Sequence, residues 1–377
     1  MKTHLLVTIS ALALAALPAL AETDIKPETL TVLEHIPPGP HVYVMDFAIN
    51  GSSQVDVLNA DDLSLVGTIG AGTFAQMLMS PDKATLYTGS FYMRRYTYGD
   101  IEAVIHEWDP QTLKAKRELT VNPKLAQGLG QRGIVNPSAD GKFLVLQNAT
   151  PATSVNIVDL TAGKDLVEIP TPGCWTAYPT VEGLGFTTLC GDGTAAKYTW
   201  AADGSFTKGV KSDKIFDPDK TPLFGDAQRV DGKLVYVSYG GSLVVVDDSG
   251  DKPALVKEIK FAEEGWAPAG YNLMAYNAPS KTLFVQMHQN PSDGSHKKPA
   301  DEIWAINMDS GNVVGRSKAH GESSITVSSG DKPVVVGIDH MGGVHRYDVT
   351  LGDTVTLTET KAREGVAAFA SAVTTDF

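Results

Sequence analysis

Seven times along this chain a β-rich run ends at an Asp or Asn, or at a degenerate equivalent, and a turn follows. The marks fall at Asn59, Asp109, Asp159, a degenerate copy near Ala201, Asp247, Asn307 and Asp348, spaced 50, 50, 42, 46, 60 and 41 residues apart. A repeat of about 40–50 residues that holds several strands is the signature of propeller blades. Such an array counts as one structural unit whatever its length. The expected fold is therefore all-β, a seven-bladed β-propeller of four-stranded antiparallel blades.

Local patterns support the same reading. His41-Val-Tyr-Val-Met-Asp and Gln54-Val-Asp-Val-Leu-Asn alternate as strands do. Ser80-Pro-Asp-Lys, Asn136-Pro-Ser-Ala-Asp-Gly-Lys, Val230-Asp-Gly-Lys and Ala278-Pro-Ser-Lys each separate two such runs. Pro fixes φ at a first turn position and Asp-Gly permits a tight reversal, so each cassette predicts a hairpin. The 36 Gly and 21 Pro suit short strands and turns rather than helices. A short helical stretch is expected only at Ala262 to Gly265. Two inserts, Arg94 to Glu102 and Gln289 to Pro299, break the period and belong on a propeller face, where binding surfaces are built.

The N-terminus reads as an export signal. Lys2 precedes the apolar run Leu5 to Leu17, which is too short to span a bilayer, and Ala19-Leu-Ala21 offers a small-residue cleavage pattern. Residues 1–21 are expected to be removed, residues 22–40, with Pro27, Pro37, Pro38 and Pro40, to form an N-terminal arm, and 41–377 to form the propeller. Loss of the one positive charge of Lys2 takes the formal charge from −13 to −14. That charge disfavours nucleic acid and anionic membranes as partners, and a periplasmic, soluble protein is expected. In that compartment Cys174 and Cys190, sixteen residues apart with no Cys-x-x-Cys spacing, read as a disulfide within one blade. Such a link stabilises by about 3 kcal/mol through loss of unfolded-chain entropy.

No catalytic motif is present in the sequence: no Gly-x-Ser-x-Gly elbow, phosphate loop, haem attachment or dinucleotide fingerprint. His340 and His345 are five apart, which on a strand sends them to opposite faces, and His288 and His296 flank the second insert. Neither pair is assigned a metal. The acidic marks Asp109, Asp159 and Asp348 recur at blade period and read as turn caps rather than paired catalytic carboxylates. Phe91-Tyr92, Tyr96, Tyr98, Trp175, Trp266 and Tyr271 are read as aromatics in or beside loops, suited to anchoring a partner. No residue is assigned a catalytic, cofactor-binding or metal role.

Several strings resemble the heavy subunits of quinoprotein amine dehydrogenases, and resemble aromatic amine dehydrogenase heavy chains more closely than methylamine dehydrogenase ones. They are Phe143-Leu-Val-Leu-Gln-Asn-Ala-Thr-Pro-Ala-Thr-Ser, Gly173-Cys-Trp, Cys190-Gly-Asp-Gly, Pro268-Ala-Gly-Tyr-Asn-Leu, and Met287-His followed by Gly294-Ser-His-Lys-Lys-Pro-Ala-Asp-Glu-Ile-Trp304. The resemblance runs from about His41 to Asp348. It implies an amine dehydrogenase subunit in a two-plus-two heterotetramer, in which a small subunit carries tryptophan tryptophylquinone and the catalytic base. Primary amines become aldehyde and ammonia, and electrons pass to a blue copper protein such as azurin or amicyanin. By the same resemblance Phe74, in Gly72-Thr-Phe-Ala, lines the substrate channel, and Cys174 and Cys190 match the heavy-chain disulfide.

Two departures stand out. Thr97-Tyr-Gly-Asp-Ile replaces a basic Arg-Gly-Lys-Arg loop, reversing its charge, and Pro268-Ala-Gly replaces Pro-Gly-Gly, so Ala269 needs a backbone that a Cβ tolerates. The rival reading is a stand-alone periplasmic propeller acting as a binding or scaffold protein, with a lactonase-like hydrolase third. A neighbouring reading frame for a small, cysteine-rich exported protein separates the first reading from the others.

Overall fold

A computed structural model describes residues 32–96 and 98–377. The expected signal segment and the arm up to residue 31 lie outside the described residues, as does Thr97. The compact unit His35–Phe377 carries seven sheets, each antiparallel and each at least four-stranded. We call them blades 1 to 7 and label their strands a, innermost, to d, outermost. Among the described residues the only helix is one 3-10 turn, Ser295–Lys297. No helix there is long and apolar enough to cross a membrane.

Five of the seven repeat marks fall where the sequence placed them. Strand c ends at Asn59, Asp159, Asp247 and Asn307 in blades 1, 3, 5 and 6, and one residue before Asp109 in blade 2. Their side-chain oxygens then cap the c–d turn: Asp109 Oδ1 accepts from the backbone N–H of Gln111 and Thr112, and Asp159 Oδ1 from Thr161 and Ala162. Asn59 and Asn307 do the same with Asp61 and Ser310. Asp348 differs: it lies within its strand and pairs with Arg346. The four turn cassettes each join strands a and b, with Lys83, Gly141, Asp231, Gly232 and Lys281 at positive φ where the chain reverses.

Blade 1 closes the ring. Its strands b, c and d are His41–Asp46, Gln54–Asn59 and Leu65–Gly70, and its innermost strand is the C-terminal Ala370–Thr375. Asp376 fastens the join: its carboxylate accepts from the His41 backbone N–H at 2.7 Å and the Tyr43 hydroxyl at 3.2 Å, and meets His41 Nδ1 at 2.9 Å.

Seven apolar clusters hold the array together, one between each pair of neighbouring blades. Alternation sends Val42 and Val44 toward blade 7 while Tyr43 and Met45 face blade 2. Central strands are covered on both sides and read as continuous apolar runs, such as Ser242–Asp247. The outermost strand Ala254–Lys260 faces water along nearly its whole length. This corrects the reading of Phe91, which lies in strand Leu86–Met93 and is 1% exposed between blades 2 and 3. The helical stretch expected at Ala262 to Gly265 is also corrected: it is a turn, with Gly265 at φ 80° and the Trp266 N–H donating to Glu263 O.

Candidate functional site at the upper mouth of the propeller

Antiparallel order puts the a–b and c–d turns on one face, here the lower, and the b–c and d–a connections on the other, the upper. All the capped acidic marks are therefore on the lower face. Both inserts are b–c connections, of blades 2 and 6, and lie on the upper face with every aromatic considered below.

The upper end of the central channel is plugged by the connection between blades 2 and 3, residues Asn122 to Ile134. Gln76 Nε2 donates to Gly128 O, and the Gln131 N–H donates back to Gln76 Oε1. Asn272 of blade 6 accepts from the Arg132 N–H and donates to Gly130 O. The Arg132 guanidinium reaches both carboxylate oxygens of Asp226 in blade 5 at 3.0 and 3.1 Å, and donates to Met274 O and Ile325 O. Burial pushes the Asp226 carboxyl up, and the adjacent guanidinium pulls the other way. One thirteen-residue connection thus ties blades 2, 5, 6 and 7 together at the axis. Below it the channel holds a cavity of about 260 Å³, lined by both polar and apolar side chains, among them Asn136, Tyr178, Gln228, Met77 and Leu78.

Above the plug lies a cavity of about 240 Å³ lined by Gln76, Ala126, Leu129, Gln131, Ile134, Trp175 and Tyr271, among others. Its walls carry no charge. The plug supplies Ala126, Leu129, Gln131 and Ile134, and irregular innermost strands supply the rest. Pairing slips between Thr73 and Gln76 in blade 2 and between Trp175 and Tyr178 in blade 4, and strand a of blade 6 is split into Trp266–Pro268 and Met274–Asn277. A bulge of this kind re-aims a side chain beside a site. At the slips Phe74 and Thr176 sit at φ 53° and 62°, uncommon for residues with a Cβ. In the split segment Gly270 takes the special conformation, φ 130°, while Ala269 stays outside the positive-φ region and is fully buried.

Phe74 is at the upper rim. Gly72 is required just before it, since a Cβ there would come within 2.3 Å of Phe91 O. The Thr73 hydroxyl donates to Ile49 O and the Phe74 N–H to Ala48 O. The Phe74 ring meets Phe47 edge-on at 5.9 Å and packs against the apolar clusters on both sides of blade 2, one of which includes Ala126 of the cavity lining. It is half-buried and stands behind the cavity wall. An aromatic arc continues from Phe47 to Phe369, then to His340 stacked at 5.1 Å, then to Tyr271.

The other aromatics divide. Trp175 lines the cavity and donates from Nε1 to Gln131 Oε1. Its neighbour Cys174 pairs across strands a and b of blade 4 with Cys190, and the two are joined as a disulfide. Tyr96 and Tyr98 are each 72% exposed on the blade 2 insert, and Tyr92 at its base is 40% exposed. Trp266 is occupied within the chain, because Arg316 lies over both it and Trp304 at 4.7 and 4.3 Å. His288 is buried in strand b of blade 6, and His296 stacks on Tyr239 at 4.4 Å. Gln76, Leu129 and Gln131 were not singled out from sequence; the signal for Leu129 and Gln131 was the Gly-rich stretch Gly128-Leu-Gly-Gln-Arg-Gly133, in a connection too long for an ordinary blade link.

The methylamine dehydrogenase heavy chain (MADH) family model matches residues 39–363. The methylamine dehydrogenase heavy chain of Methylorubrum extorquens is 25% identical over 291 residues, covering 74% of this chain and 70% of that one. The heavy chain of Paracoccus versutus is 24% identical over 329 residues, covering 84% and 76%. Among solved structures, a putative 6-phosphogluconolactonase of Bacteroides fragilis aligns with TM-score 0.62 at 11% identity over 92% of this chain and 99% of that one. A dihydro-heme d1 dehydrogenase aligns with TM-score 0.53 at 14% identity over 89% and 74%. At such identity these structures share the propeller fold alone. The chain belongs to the methylamine dehydrogenase heavy chain family.

Proposed function

We propose that this chain is the heavy subunit of a periplasmic amine dehydrogenase, which converts a primary amine to aldehyde and ammonia. The observation that carries this reading is the family match across 39–363 on a propeller whose upper cavity has an uncharged lining. Residues 1–21 direct export, 22–40 form an arm, and 41–377 form the propeller. The upper face docks a small subunit bearing tryptophan tryptophylquinone, in a two-plus-two heterotetramer, and electrons leave for a blue copper protein such as azurin or amicyanin.

The residues present suit a docked ring rather than a ligated group. The cavity offers Leu129, Ile134, Trp175 and Tyr271 as apolar walls, with two neutral hydrogen-bonding groups already engaged, Gln76 with the plug and Gln131 with Trp175. When bound, the quinone of the small subunit supplies the two-electron acceptor. This chain contributes shape: Trp175 and Tyr271 exclude water, Phe74 and the aromatic arc narrow the approach, and the plug keeps the walls fixed. Exposed Tyr96 and Tyr98 are suited to the rim of the subunit contact.

Co-expression of the chain with the small subunit tests the assignment. A complex with the mass of two heavy and two small chains is expected on light scattering. A heavy chain that elutes by itself while the small subunit is correctly made overturns it and favours the stand-alone propeller.

A further inference from the structure

Blade 7 brings together three side chains that no motif connects. His345 lies on strand c, Val344–Thr350; Glu359 lies on strand d, Thr356–Arg363; His320 lies on the connection from blade 6. One ligand atom from each falls within 4.8 Å of the others, the one such group among the described residues. His345 Nδ1 is 2.8 Å from Glu359 Oε1, and His320 Nε2 is 3.4 Å from Glu359 Oε2. The two imidazoles stack at 5.2 Å with 20° between their planes. Two His nitrogens and a carboxylate about 3.3 Å apart are what tetrahedral bonds of about 2.0–2.1 Å around Zn²⁺ require, with a water in the fourth position.

The surroundings are built to hold that set. His345 is almost wholly buried, and its Nε2 makes no hydrogen bond although it points to Asp339 Oδ2, 3.8 Å away. A histidine that ligates through Nδ1 carries its proton on Nε2, and a carboxylate beyond it fixes ring and tautomer. Gly343 leaves room for that carboxylate, since a Cβ there would come within 2.4 Å of Asp339 Oδ2. The connection bearing His320 is pinned from below: buried Glu322 accepts from the His320 N–H at 2.6 Å and from the Tyr347 hydroxyl.

We propose that His320, His345 and Glu359 form a binding site for a divalent late first-row cation, Zn²⁺ in the first instance, with Asp339 as the outer partner of His345. Ligand softness and geometry favour it over Mg²⁺ or Ca²⁺, which take oxygen donors in larger shells. The site stands on the upper face, outside the central cavity, and does not depend on the proposed function.

Calorimetric titration of the chelator-stripped, full-length chain with zinc chloride tests the proposal. One site per chain is expected, tenfold or more weaker in His320→Ala and in Glu359→Gln, and about 10–100-fold weaker in Asp339→Asn. His320 is partly exposed, so the metal-free melting temperature of His320→Ala should match the parent and keep a folding defect apart from a binding defect. Absence of saturable binding would overturn the site. One-to-one binding undiminished in His320→Ala and Glu359→Gln would place the ion elsewhere and overturn it equally.

Discussion

Arg132, on the connection between blades 2 and 3, pairs with Asp226 of blade 5 inside the central channel at 3.0 Å. Ninety-four residues separate the two in sequence. Asp226 is fully buried, and its other contacts include the Met274 N–H. Replacing Arg132 by Met leaves that carboxylate without its cation, which should cost about 3–5 kcal/mol. The double change Arg132→Met with Asp226→Leu should restore much of it. Thermal melts of the parent, the single variants and the double variant check this; a double variant no better than Arg132→Met would mean that the backbone contacts of Arg132, not the ion pair, hold the plug.

Ring closure depends on Asp376. Asp376→Ala leaves the buried His41 N–H without its acceptor, at about 1–3 kcal/mol, while the Tyr43 hydroxyl keeps Pro110 O. The C-terminal strand should then become the first site of proteolysis. Limited digestion that cuts elsewhere first would show that the join is held by strand pairing alone.

Blade architecture was legible because its signals are local. A turn cap needs an Asp or Asn within a few residues of the N–H it accepts from, and a hairpin needs its Pro or Asp-Gly in place, so Asp109, Asp159 and Val230-Asp-Gly-Lys could be read directly. The disulfide was legible for a related reason, two cysteines with strand and turn between them in a chain whose N-terminus reads as an export signal. The plug was not. Arg132, Asp226 and Asn272 come from three blades, and only ring closure puts them on one axis. Phe91 misled because both faces of a central strand are buried, which erases the alternation that separates core from loop. His345 was weighed only with His340, and its neighbours His320 and Glu359 went unread because the spacing of the three matches no ligand motif.

The turn carboxylates predict a pH effect with a definite sign. Backbone donors, Thr112 first, hold Asp109 below the usual carboxylate range, and Ser249 does the same for Asp247. A carboxyl depressed in the folded state stabilises above its unfolded value, about 3.9, and that contribution is lost as pH falls through the folded value. Asn59 and Asn307 already fill this role without charge. Asp109→Asn should therefore leave stability at pH 7 within about 0.5 kcal/mol and reduce its loss below pH 4. Melting temperatures at both pH values decide it; an equal acid loss in parent and variant contradicts the assignment.

Removing the disulfide by paired Cys174→Ser and Cys190→Ser should cost about 2–5 kcal/mol and loosen the strand that carries Trp175. Near-ultraviolet dichroism and Trp175 fluorescence should change together with the melting temperature. A lowered melting temperature with an unaltered tryptophan signal would separate the staple from the cavity wall.

Phe74→Ala asks whether the ring restricts access. As part of the approach to the cavity, its loss should change the ratio of kcat/KM between methylamine and phenylethylamine while the complex still assembles. As core alone it should cost about 3–5 kcal/mol and lower both rates equally. An unchanged ratio with a lowered melting temperature would move the channel to Trp175 and Tyr271.

The central claim is that this propeller shapes and docks an oxidative site that it does not itself contain. Amine-dependent dye reduction by the purified chain alone, and by the chain assembled with the small subunit, tests it most directly with methylamine, tyramine and phenylethylamine. The account predicts no turnover by the isolated chain and turnover of at least one amine by the complex; reduction by the isolated, cofactor-free chain would contradict it.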